Sequence, residues 1–591
     1  MKTFIDIFKT IVLVSELCKL FLKNNKKLIL MDLVLGFSRE CKMIIEIILP
    51  TIIIKNVLLK QKIPIILIVI LFLCILIAIG GILSEKIARD LSNYSLYATN
   101  SLYYVLNGKT AHLDMKDCED EDVVNRYYKV FDSIYDLSDV PYEVFCTLIS
   151  KIMSFIIMSL IIVSINIWLF LFVLIINLLI IIIRTKHNQI EHEYNLMCSE
   201  YSDKLKYLNE MSYNFEACRE IRVFNASNLV SKKIFEQSGK VHKIDYKLQI
   251  INFVFNILYS LLNIAQLIFI YFLTINEYSL GKIALGNFAV YINATTLIFS
   301  SLSVITNSIG KLHKSTVSFK DFSEFLKMKE TMRKPGGLTY VKQNSEVLFE
   351  FINVYFKYPG AKDYVLKNIN FKIHDGEKIS IVGDNGSGKS TLIKLILRLY
   401  DTTEGKILFR GVDIKEYDYD FYQSIIAPVF QDYVMHAYTL RENLIFDKNC
   451  SNVMVWDALA KTDMDKKVKK LGLDKNYTKR FYSDGIEFSG GEEQRFVIAR
   501  ALCKNTNIVI LDEPTAAIDP IAERKLFSEL LDAIDSKSVI FVSHRMSVTK
   551  YSDRIIVLKD STIKESGTHD ELLNLNGIYA NMFRQQASYY N

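Results

Sequence analysis

The long apolar runs in the first half of the sequence constrain its fold more than any other feature. The stretches "IPIILIVILFLCILIAIGGIL" (63–83) and "IWLFLFVLIINLLIIII" (167–183) contain no charged residue, and about 20 apolar residues in a helix cross the hydrocarbon core of a bilayer. Four further runs are similar. The predicted spans are residues 30–58, 63–84, 143–165, 167–185, 250–275 and 282–306. The sequence therefore predicts a membrane domain of six helices.

The links between the spans indicate which side faces the cytoplasm. An even number of spans places both ends of the domain on the same side. The two long links, about 86–141 and 186–248, carry many lysines and arginines, which marks them as cytoplasmic by the positive-inside rule. Lys55, Lys60 and Lys62 on the first short link run against this rule. We expect a multi-pass protein of the cell membrane whose second half is cytoplasmic.

The remaining sequence divides by composition. Residues 27–325 are predicted to form the membrane domain, residues 326–344 a linker, and residues 345–591 a soluble α/β domain. Residues 1–26 combine an apolar side with scattered lysines, which is typical of a helix lying along the membrane surface. The net charge of +6 does not indicate nucleic-acid binding. The nine cysteines include no C-x-x-C pair, so neither a metal site nor a disulfide framework is predicted.

Polar residues recur at helical spacing inside three of the predicted spans. The fifth span carries Asn252, Asn256, Tyr259, Asn263 and Gln266, the sixth Asn287, Tyr291 and Thr295, and the first Arg39, Lys42 and Glu46. Polar side chains are costly in lipid and usually face the interior of a helix bundle or a wet cavity. The stripes therefore predict either a polar-lined translocation path or hydrogen bonds between helices, with Lys42 and Glu46 as an i,i+4 pair.

A phosphate-binding loop lies near the start of the soluble half. The stretch "KISIVGDNGSGKSTLIKLILRLY" (378–400) is an apolar strand, a glycine-rich turn and an amphipathic helix, and it contains G-x-x-x-x-G-K-S. The glycines let the backbone wrap a β-phosphate, Lys389 supplies positive charge at the β- and γ-phosphates, and the Ser390 hydroxyl binds Mg²⁺. The predicted nucleotide contacts are Gly383, Asp384, Asn385, Gly386, Ser387, Gly388, Lys389, Ser390 and Thr391.

Catalytic side chains are expected at the ends of two later strands. "NIVILDEP" (507–514) is a buried-strand run that ends in two acids. Asp512 is placed to hold Mg²⁺ through water, and Glu513 to orient or deprotonate the attacking water. His544 in "VIFVSHR" follows another apolar strand, and the carboxyl ends of strands in open α/β sheets share one edge. The sequence thus predicts nucleotide hydrolysis with Lys389, Glu513 and His544 as catalytic residues.

A second turn suited to an anion occurs in "EFSGGEEQR" (487–495). Its Ser-Gly-Gly run opens directly into a helix-forming stretch, so its backbone N–H groups and the helix dipole favour a negative charge. One phosphate cradle per domain leaves this turn without an anion unless a second subunit supplies one. The alternative is a tight turn with Ser489 as the N-cap of the helix.

Taken together, these motifs resemble the nucleotide-binding domain of ABC transporters. The P-loop is followed in family order by "APVFQD", "FSGGEEQR", "ILDEP", "AAID" and "VSHR", over about residues 345–580. Residues 20–325 resemble the family's six-helix exporter domain. The stretches "HLDMKDCEDEDVVNR" (112–126) and "REIRVFNASN" (219–228) are similar to parts of its two cytoplasmic links, the second of which docks on the ATPase. The resemblance implies a half-size exporter.

The resemblance also implies how the ATP site is completed. In the family, two ATPase domains pair head to tail, so Ser489, Gly490 and Gly491 would reach the γ-phosphate bound by the partner copy. Tyr358 in "VYFKYPG" matches the aromatic residue that stacks on adenine, and Gln431 matches the glutamine that senses Mg²⁺ and the attacking water. The implied cofactors are ATP and Mg²⁺. The implied Mg²⁺ contacts are Ser390, Gln431 and Asp512.

Two positions depart from the family pattern. Glu492 stands where the signature commonly has Gln; an acid in the first helical turn suits the dipole, but it would weaken phosphate contacts if it pointed at the site. Ala516 replaces a serine and removes one hydroxyl from the expected dimer seam. Neither change touches the predicted catalytic residues, so two competent sites in a homodimer are expected. A heterodimer remains the alternative.

The order of the domains and one segment bear on the cargo. A membrane half fused ahead of the ATPase resembles exporters, which implies alternating access driven by ATP-dependent closure of the dimer. Residues 482–523 resemble half-size exporters of ribosomally made, modified peptides, so a peptide cargo is predicted, with multidrug or lipid export as the alternative. The expected partners are a second copy, membrane lipid and the exported substrate, and no nucleic acid. An ATP-gated channel or a regulatory ABC protein is the alternative from another class.

Overall fold

The computed structural model describes residues 12–16, 18–19, 26–60, 62–163, 167–281, 285–333, 336–341, 345–446, 450–504, 506–513, 537–543, 546 and 548–588. Most of the predicted surface helix 1–26 lies outside the described residues, as do His544 and Ala516. The chain divides into two compact units. The first is Met1–Ala111 with Asn125–Lys327, and the second is His112–Val124 with Met328–Asn591.

The first unit consists of long helices, in which the apolar runs of the sequence continue as helix well beyond the thickness of a bilayer. In chain order, the helices up to residue 326 are α1 (Lys26–Leu58), α2 (Ile63–His112), α3 (Met115–Cys118), α4 (Glu121–Ser138), α5 (Ile149–Val163), α6 (Ile167–Tyr213), α7 (Phe215–Val223), α8 (Ser227–Ser279) and α9 (Leu285–Leu326). A π-helical turn, Tyr142–Leu148, precedes α5.

The predicted membrane domain is confirmed. Among the described residues, five helices are long and apolar enough to cross a membrane: Ile63–His112, Glu121–Val163, Phe170–Tyr213, Ser227–Ser279 and Val290–Leu326. The first predicted span, 30–58, lies within α1. The predicted links 86–141 and 186–248 are largely helical.

The polar residues of the fifth span, which lies in α8, have different surroundings. Asn252 Oδ1 lies 2.7 Å from Nε2 of His187 on α6, and the Tyr259 hydroxyl lies 3.3 Å from its Nδ1. The imidazole is therefore held at both nitrogens by one neighbouring helix. Asn256 is exposed, whereas the Oε1 atom of Gln266 is buried without a hydrogen-bond partner among the described residues. Hydrogen bonding between helices accounts for part of the stripe.

The other stripes are explained partly by contacts within their own helices, and Arg39 of the first span donates to the Tyr142 hydroxyl at 2.8 Å. Lys42 Nζ and Glu46 Oε1 lie 4.0 Å apart as the expected i,i+4 pair. Thr295 is fully buried, and its hydroxyl donates to the carbonyl of Ile292 at 2.7 Å. The side chain of Asn287 lies outside the described residues.

Two sheets organise the second unit. The strands are β1 (Val347–Phe356), β2 (Leu366–His374), β3 (Lys378–Gly383), β4 (Glu404–Phe409), β5 (Val412–Asp413), β6 (Ile426–Val429), β7 (Ile508–Asp512), β8 (Ser538–Val542), β9 (Arg554–Lys559) and β10 (Thr562–Gly567). The larger sheet has the order β10-β9-β3-β8-β7-β6. It is parallel except for β10 at its edge. Its central strands β7 and β8 are buried throughout, as expected for a parallel sheet covered on both faces.

The smaller sheet and a helical subdomain complete this unit. The smaller sheet is antiparallel with the order β2-β1-β4-β5. The helices are α10 (Lys389–Ile396), α11 (Tyr419–Ser424), α12 (Leu440–Leu444), α13 (Asn452–Lys461), α14 (Asp465–Leu471), α15 (Gly490–Cys503), α16 (His569–Asn574) and α17 (Ile578–Ser588). Helices α12 to α15 share an apolar core that includes Leu440, Val455, Val468 and Phe496. The predicted α/β domain with an antiparallel subdomain and a helical subdomain is confirmed.

Candidate nucleotide site

The phosphate loop connects β3 to α10. Gly388, the N-cap of α10, has a φ of 102°, a left-handed conformation that glycine adopts without steric cost. A Cβ on Gly388 would lie 2.6 Å from Leu366 Cδ2, and one on Gly383 would lie 2.1 Å from the Leu558 carbonyl oxygen. Both glycines of the sequence pattern are thus required by the packing of the loop against neighbouring strands.

Lys389 holds the loop together from inside. Its Nζ donates to the carbonyls of Gly383 and Asp384 at 2.9 Å each, and the side chain is almost fully buried. Burial lowers the pKa of this ammonium, while the carboxylates of Glu513, Asp384 and Asp512 favour its charged form. The positive charge therefore lies at the point where the sequence predicts phosphate.

A cavity of about 660 Å³ brings half of the predicted ATP contacts together. It is lined by Val365, Asn385, Gly386, Gly388, Lys389, Ser390, Thr391, Gln431 and Glu513. Tyr358 lies beside this group, with its hydroxyl 3.1 Å from Oγ1 of Thr391. The loop, the glutamine and the glutamate thus converge from separate parts of the chain, because β3, β6 and β7 end at the same edge of the sheet.

The two acids at the end of β7 differ in environment. Asp512 is buried, and burial together with the neighbouring Glu513 raises its pKa to about 6, although Lys389 acts in the opposite direction. Glu513 has a φ of 47°, which is uncommon for a residue other than glycine and is typical of functional sites. Its N–H donates to the Val542 carbonyl at 2.8 Å, which fixes this turn against β8.

The residues present fit a hard divalent cation. Mg²⁺ prefers oxygen ligands, and Ser390, Gln431 and Asp512 offer a hydroxyl, an amide and a carboxylate oxygen. Asp512 Oδ1 is buried without a hydrogen-bond partner among the described residues, as is Ser387 Oγ. Buried oxygen atoms of this kind are costly unless a ligand satisfies them.

The signature turn, residues 489–491, opens α15 in the helical subdomain. Ser489 is the N-cap of α15, and its N–H donates to Glu492 Oε2 at 3.0 Å in a capping box. None of the three signature residues, all of which the structure describes, lines the cavity. The second anion-binding turn of the sequence therefore does not complete the cavity formed by its own P-loop.

Sequence reasoning missed a contact between a predicted cytoplasmic link and α10. Within the second unit, the Glu119 carboxylate accepts hydrogen bonds from the Tyr400 hydroxyl and from Lys394 Nζ. Desolvation raises the pKa of Glu119, but these two donors outweigh it and leave the pKa below its usual value. Lys394 Nζ also lies 5.4 Å from the ring centroid of Tyr358. No spacing rule relates Glu119 to residues so distant in sequence.

Comparisons with known proteins agree with this fold. Residues 366–516 match the ABC transporter family. The chain is 30% identical over 496 residues to the subtilin transport ATP-binding protein of Bacillus subtilis, covering 81% of this chain and 79% of the relative. It is 29% identical over 500 residues to the nisin transport ATP-binding protein of Lactococcus lactis subsp. lactis, covering 80% of each. A solved bacterial Atm1-family ABC exporter with ATP bound superposes with a TM-score of 0.81 and 21% identity, covering 96% of this chain and 98% of that one.

The membrane helices, the P-loop cavity and the family match together define an ATP-driven membrane transporter. The chain belongs to the ABC transporter family and has the fold of its half-size exporters. It is a multi-pass membrane protein with a cytoplasmic ATPase domain, and its ATP hydrolysis drives export.

Proposed function

We propose that two copies of this chain form a homodimeric exporter of a ribosomally made, modified peptide. The observation that carries the peptide assignment is the extent of its likeness to the two transport proteins named for subtilin and nisin, which are bacteriocins. That likeness runs over about four-fifths of the chain, so it includes the membrane unit that contacts cargo as well as the ATPase.

The paired arrangement is supported by the position of the signature turn. Ser489, Gly490 and Gly491 present the N-terminus of a 14-residue helix, which suits an anion, yet they do not line the cavity of their own chain. A second copy placed head to tail gives each signature turn a γ-phosphate and each cavity a second wall. ATP then binds the closed pair more tightly than the open one, and this differential affinity drives the change of access.

Within each site, the side chains have distinct roles. Tyr358 stacks on the adenine, and the backbone of Gly383–Thr391 together with Lys389 holds the phosphates. Ser390, Gln431 and Asp512 hold Mg²⁺, which supplies charge neutralisation at the phosphate oxygens. Glu513 takes a proton from the attacking water, and His544 contacts the γ-phosphate. The family motifs support all of these assignments, and the cavity supports those of Lys389, Ser390, Gln431 and Glu513.

The function is tested with the purified chain in proteoliposomes whose ATPase domains face outward. ATP should drive accumulation of a labelled, modified precursor peptide inside the vesicles. Glu513→Gln should abolish accumulation and lower turnover by a factor of about 10²–10⁴, as loss of a general base does, while ATP stays bound to the dimer. Glu416→Gln, the same change at an exposed acid, serves as the matched control and should accumulate peptide normally.

Two outcomes would contradict the proposal. ATP-dependent movement of a labelled lipid without peptide accumulation would assign a lipid cargo. Wild-type turnover by Glu513→Gln would remove Glu513 from its role as base.

A further inference from the structure

The structure places a lysine against the residue at which the signature departs from the family pattern. Glu492 Oε1 lies 2.6 Å from Nζ of Lys467, while its other carboxylate oxygen accepts the N–H of Ser489. Lys467 belongs to α14, which is separated in sequence from the signature helix α15. The sequence alone shows only one lysine among several in "DKKVKKL" (465–471).

The carboxylate of Glu492 opposes the binding of phosphate at the signature turn. The first turn of α15 presents N–H groups suited to a phosphate, and a carboxylate in that turn competes with the anion for the same positive potential. The Glu492 side chain is one-quarter exposed, so solvent screens it only in part. The ion pair with Lys467 is the main reason that the pKa of Glu492 lies below its usual value. Glu492 is therefore anionic at neutral pH.

The packing of α14 directs Lys467 towards the signature. The adjacent Val468 is fully buried in the helical subdomain, which fixes the rotation of this short helix. Lys467 Nζ also lies 5.4 Å from the ring centroid of Phe488, the residue immediately before Ser489, at a distance where a cation and an aromatic ring attract each other. The ammonium group thus lies close to residues on both sides of Ser489, namely Phe488 before it and Glu492 after it.

We propose that Lys467 is a positioning residue for ATP hydrolysis. It neutralises Glu492 and keeps that carboxylate in the capping position, so that the signature turn can accept the γ-phosphate of the ATP bound by the partner copy. The chain thereby tolerates an acid where the family commonly has glutamine. This inference rests on the head-to-tail pairing proposed above.

The test is a cycle of four full-length variants assayed as ATPases in proteoliposomes. Lys467→Met should raise the KM for ATP roughly three- to tenfold, the size expected for losing one partly screened charge, with a smaller effect on kcat. Glu492→Gln should behave as wild type. The double variant Lys467→Met with Glu492→Gln should also return to wild type, because the charge that needs Lys467 is gone. Lys470→Met, at an exposed lysine of the same helix, is the matched control and should change nothing.

Added salt and a conservative replacement of Lys467 distinguish an electrostatic role of this residue from a purely structural one. The defect of Lys467→Met should shrink at about 0.5 M salt, where exposed charges are strongly screened, and Lys467→Arg should retain wild-type KM. A merely structural lysine would show neither the salt dependence nor the rescue by Glu492→Gln. If Lys467→Met lowers the yield of folded protein, Lys467→Arg still tests the inference, because its KM must stay at the wild-type value if the site needs only the positive charge.

Three results would overturn the inference: a wild-type KM for Lys467→Met at low salt, a double variant as impaired as the single one, or a raised KM for Lys467→Arg. Failure of the underlying pairing is recognised separately, because Gly490→Asp would then leave hydrolysis unchanged. If only the role of Lys467 is wrong, Gly490→Asp abolishes hydrolysis while Lys467→Met leaves the KM for ATP at its wild-type value.

Discussion

At the scale of single residues, Gly388 shows why the phosphate loop admits so few sequences. It combines a φ of 102° with a near contact, since a Cβ would lie 2.6 Å from Leu366 Cδ2 and 3.1 Å from the Val365 carbonyl oxygen. Left-handed backbone costs a residue with a side chain roughly 1–2 kcal/mol, and forcing extra volume into packed surroundings costs about 1–3 kcal/mol more.

Gly388→Ala should therefore lower the free energy of unfolding by about 2–5 kcal/mol and abolish ATP binding. Gly376→Ala is the matched control, because Gly376 has a φ of 76° but no atom within 4 Å of its added Cβ. It should lose only about 1–2 kcal/mol and bind ATP normally. Thermal unfolding and binding of a fluorescent ATP analogue measure both effects; equal losses in the two variants would show that the contact with Leu366 is unimportant.

Residues of this kind are predictable from sequence because backbone geometry demands them at fixed spacing. Gly383, Gly388 and Lys389 lie within one loop, so the pattern that identifies them also fixes their relative positions. The pairing of Lys467 with Glu492 joins two helices of the subdomain, and it depends on how the subdomain core packs. A local pattern carries no information about that packing.

At the scale of elements, α8 carries two asparagines with opposite surroundings. Asn252 bonds to His187 on α6, whereas Asn256, one turn further on, is exposed. Asn252→Leu should lower the unfolding temperature, because a hydrogen bond between membrane helices contributes about 0.6–2 kcal/mol and His187 would keep a buried nitrogen unpaired.

Asn256→Leu is the same substitution without that bond. If the exposed part of the stripe lines the path of the cargo, this variant should retain the unfolding temperature and basal ATPase rate but lose part of the stimulation by peptide. Identical behaviour of the two variants in both assays would contradict this division of the stripe.

The segment His112–Val124 belongs to the second unit, and the carboxylates of Asp114 and Glu119 both contribute to its attachment there. Asp114 is buried, and it accepts hydrogen bonds from the N–H groups of Thr331 and Met332 at 2.9 and 3.3 Å. The Thr331 hydroxyl donates to the same side chain. The segment is continuous in sequence with α2 and α4, whose remaining residues belong to the first unit.

Asp114→Asn should loosen this attachment, because an amide has one acceptor oxygen and brings two donors of its own. A loss of about 1–3 kcal/mol corresponds to amide hydrogen exchange in residues 112–124 that is roughly 5- to 150-fold faster. Asp122→Asn, at an exposed acid of the same segment, should leave exchange unchanged. Unaltered exchange in Asp114→Asn would show that other contacts hold the segment.

The helices could be predicted from the sequence where the surrounding solvent, lipid or water, determines their hydrophobic pattern. The N-terminal parts of α2 and α6 are long apolar runs, and only a membrane accommodates such runs. The polar continuations of these helices to His112 and Tyr213 carry no comparable signal. The assignment of residues 112–124 to the ATPase unit depends on Asp114 and Glu119, whose partners lie more than two hundred residues away in sequence.

At the scale of the whole molecule, the proposed pairing of two copies rests on a site that a single chain leaves incomplete. The P-loop and the signature turn both suit phosphate, yet one lines the cavity and the other does not. Head-to-tail pairing predicts that each site takes its P-loop from one copy and its signature from the other. Two defects placed on different copies should then fall in the same site.

A mixed dimer tests this prediction directly. One copy carries Lys389→Met and the other Gly490→Asp, both with Glu513→Gln so that ATP is retained, and two different affinity tags isolate the mixed pair. One site then contains the intact P-loop of the Gly490→Asp copy and the intact signature of the Lys389→Met copy, so about one ATP per dimer should remain after gel filtration. Each homodimer should retain almost none, since both of its sites carry a defect. If each chain completed its own site, the mixed dimer would also retain none, because each of its two chains carries one defect of its own.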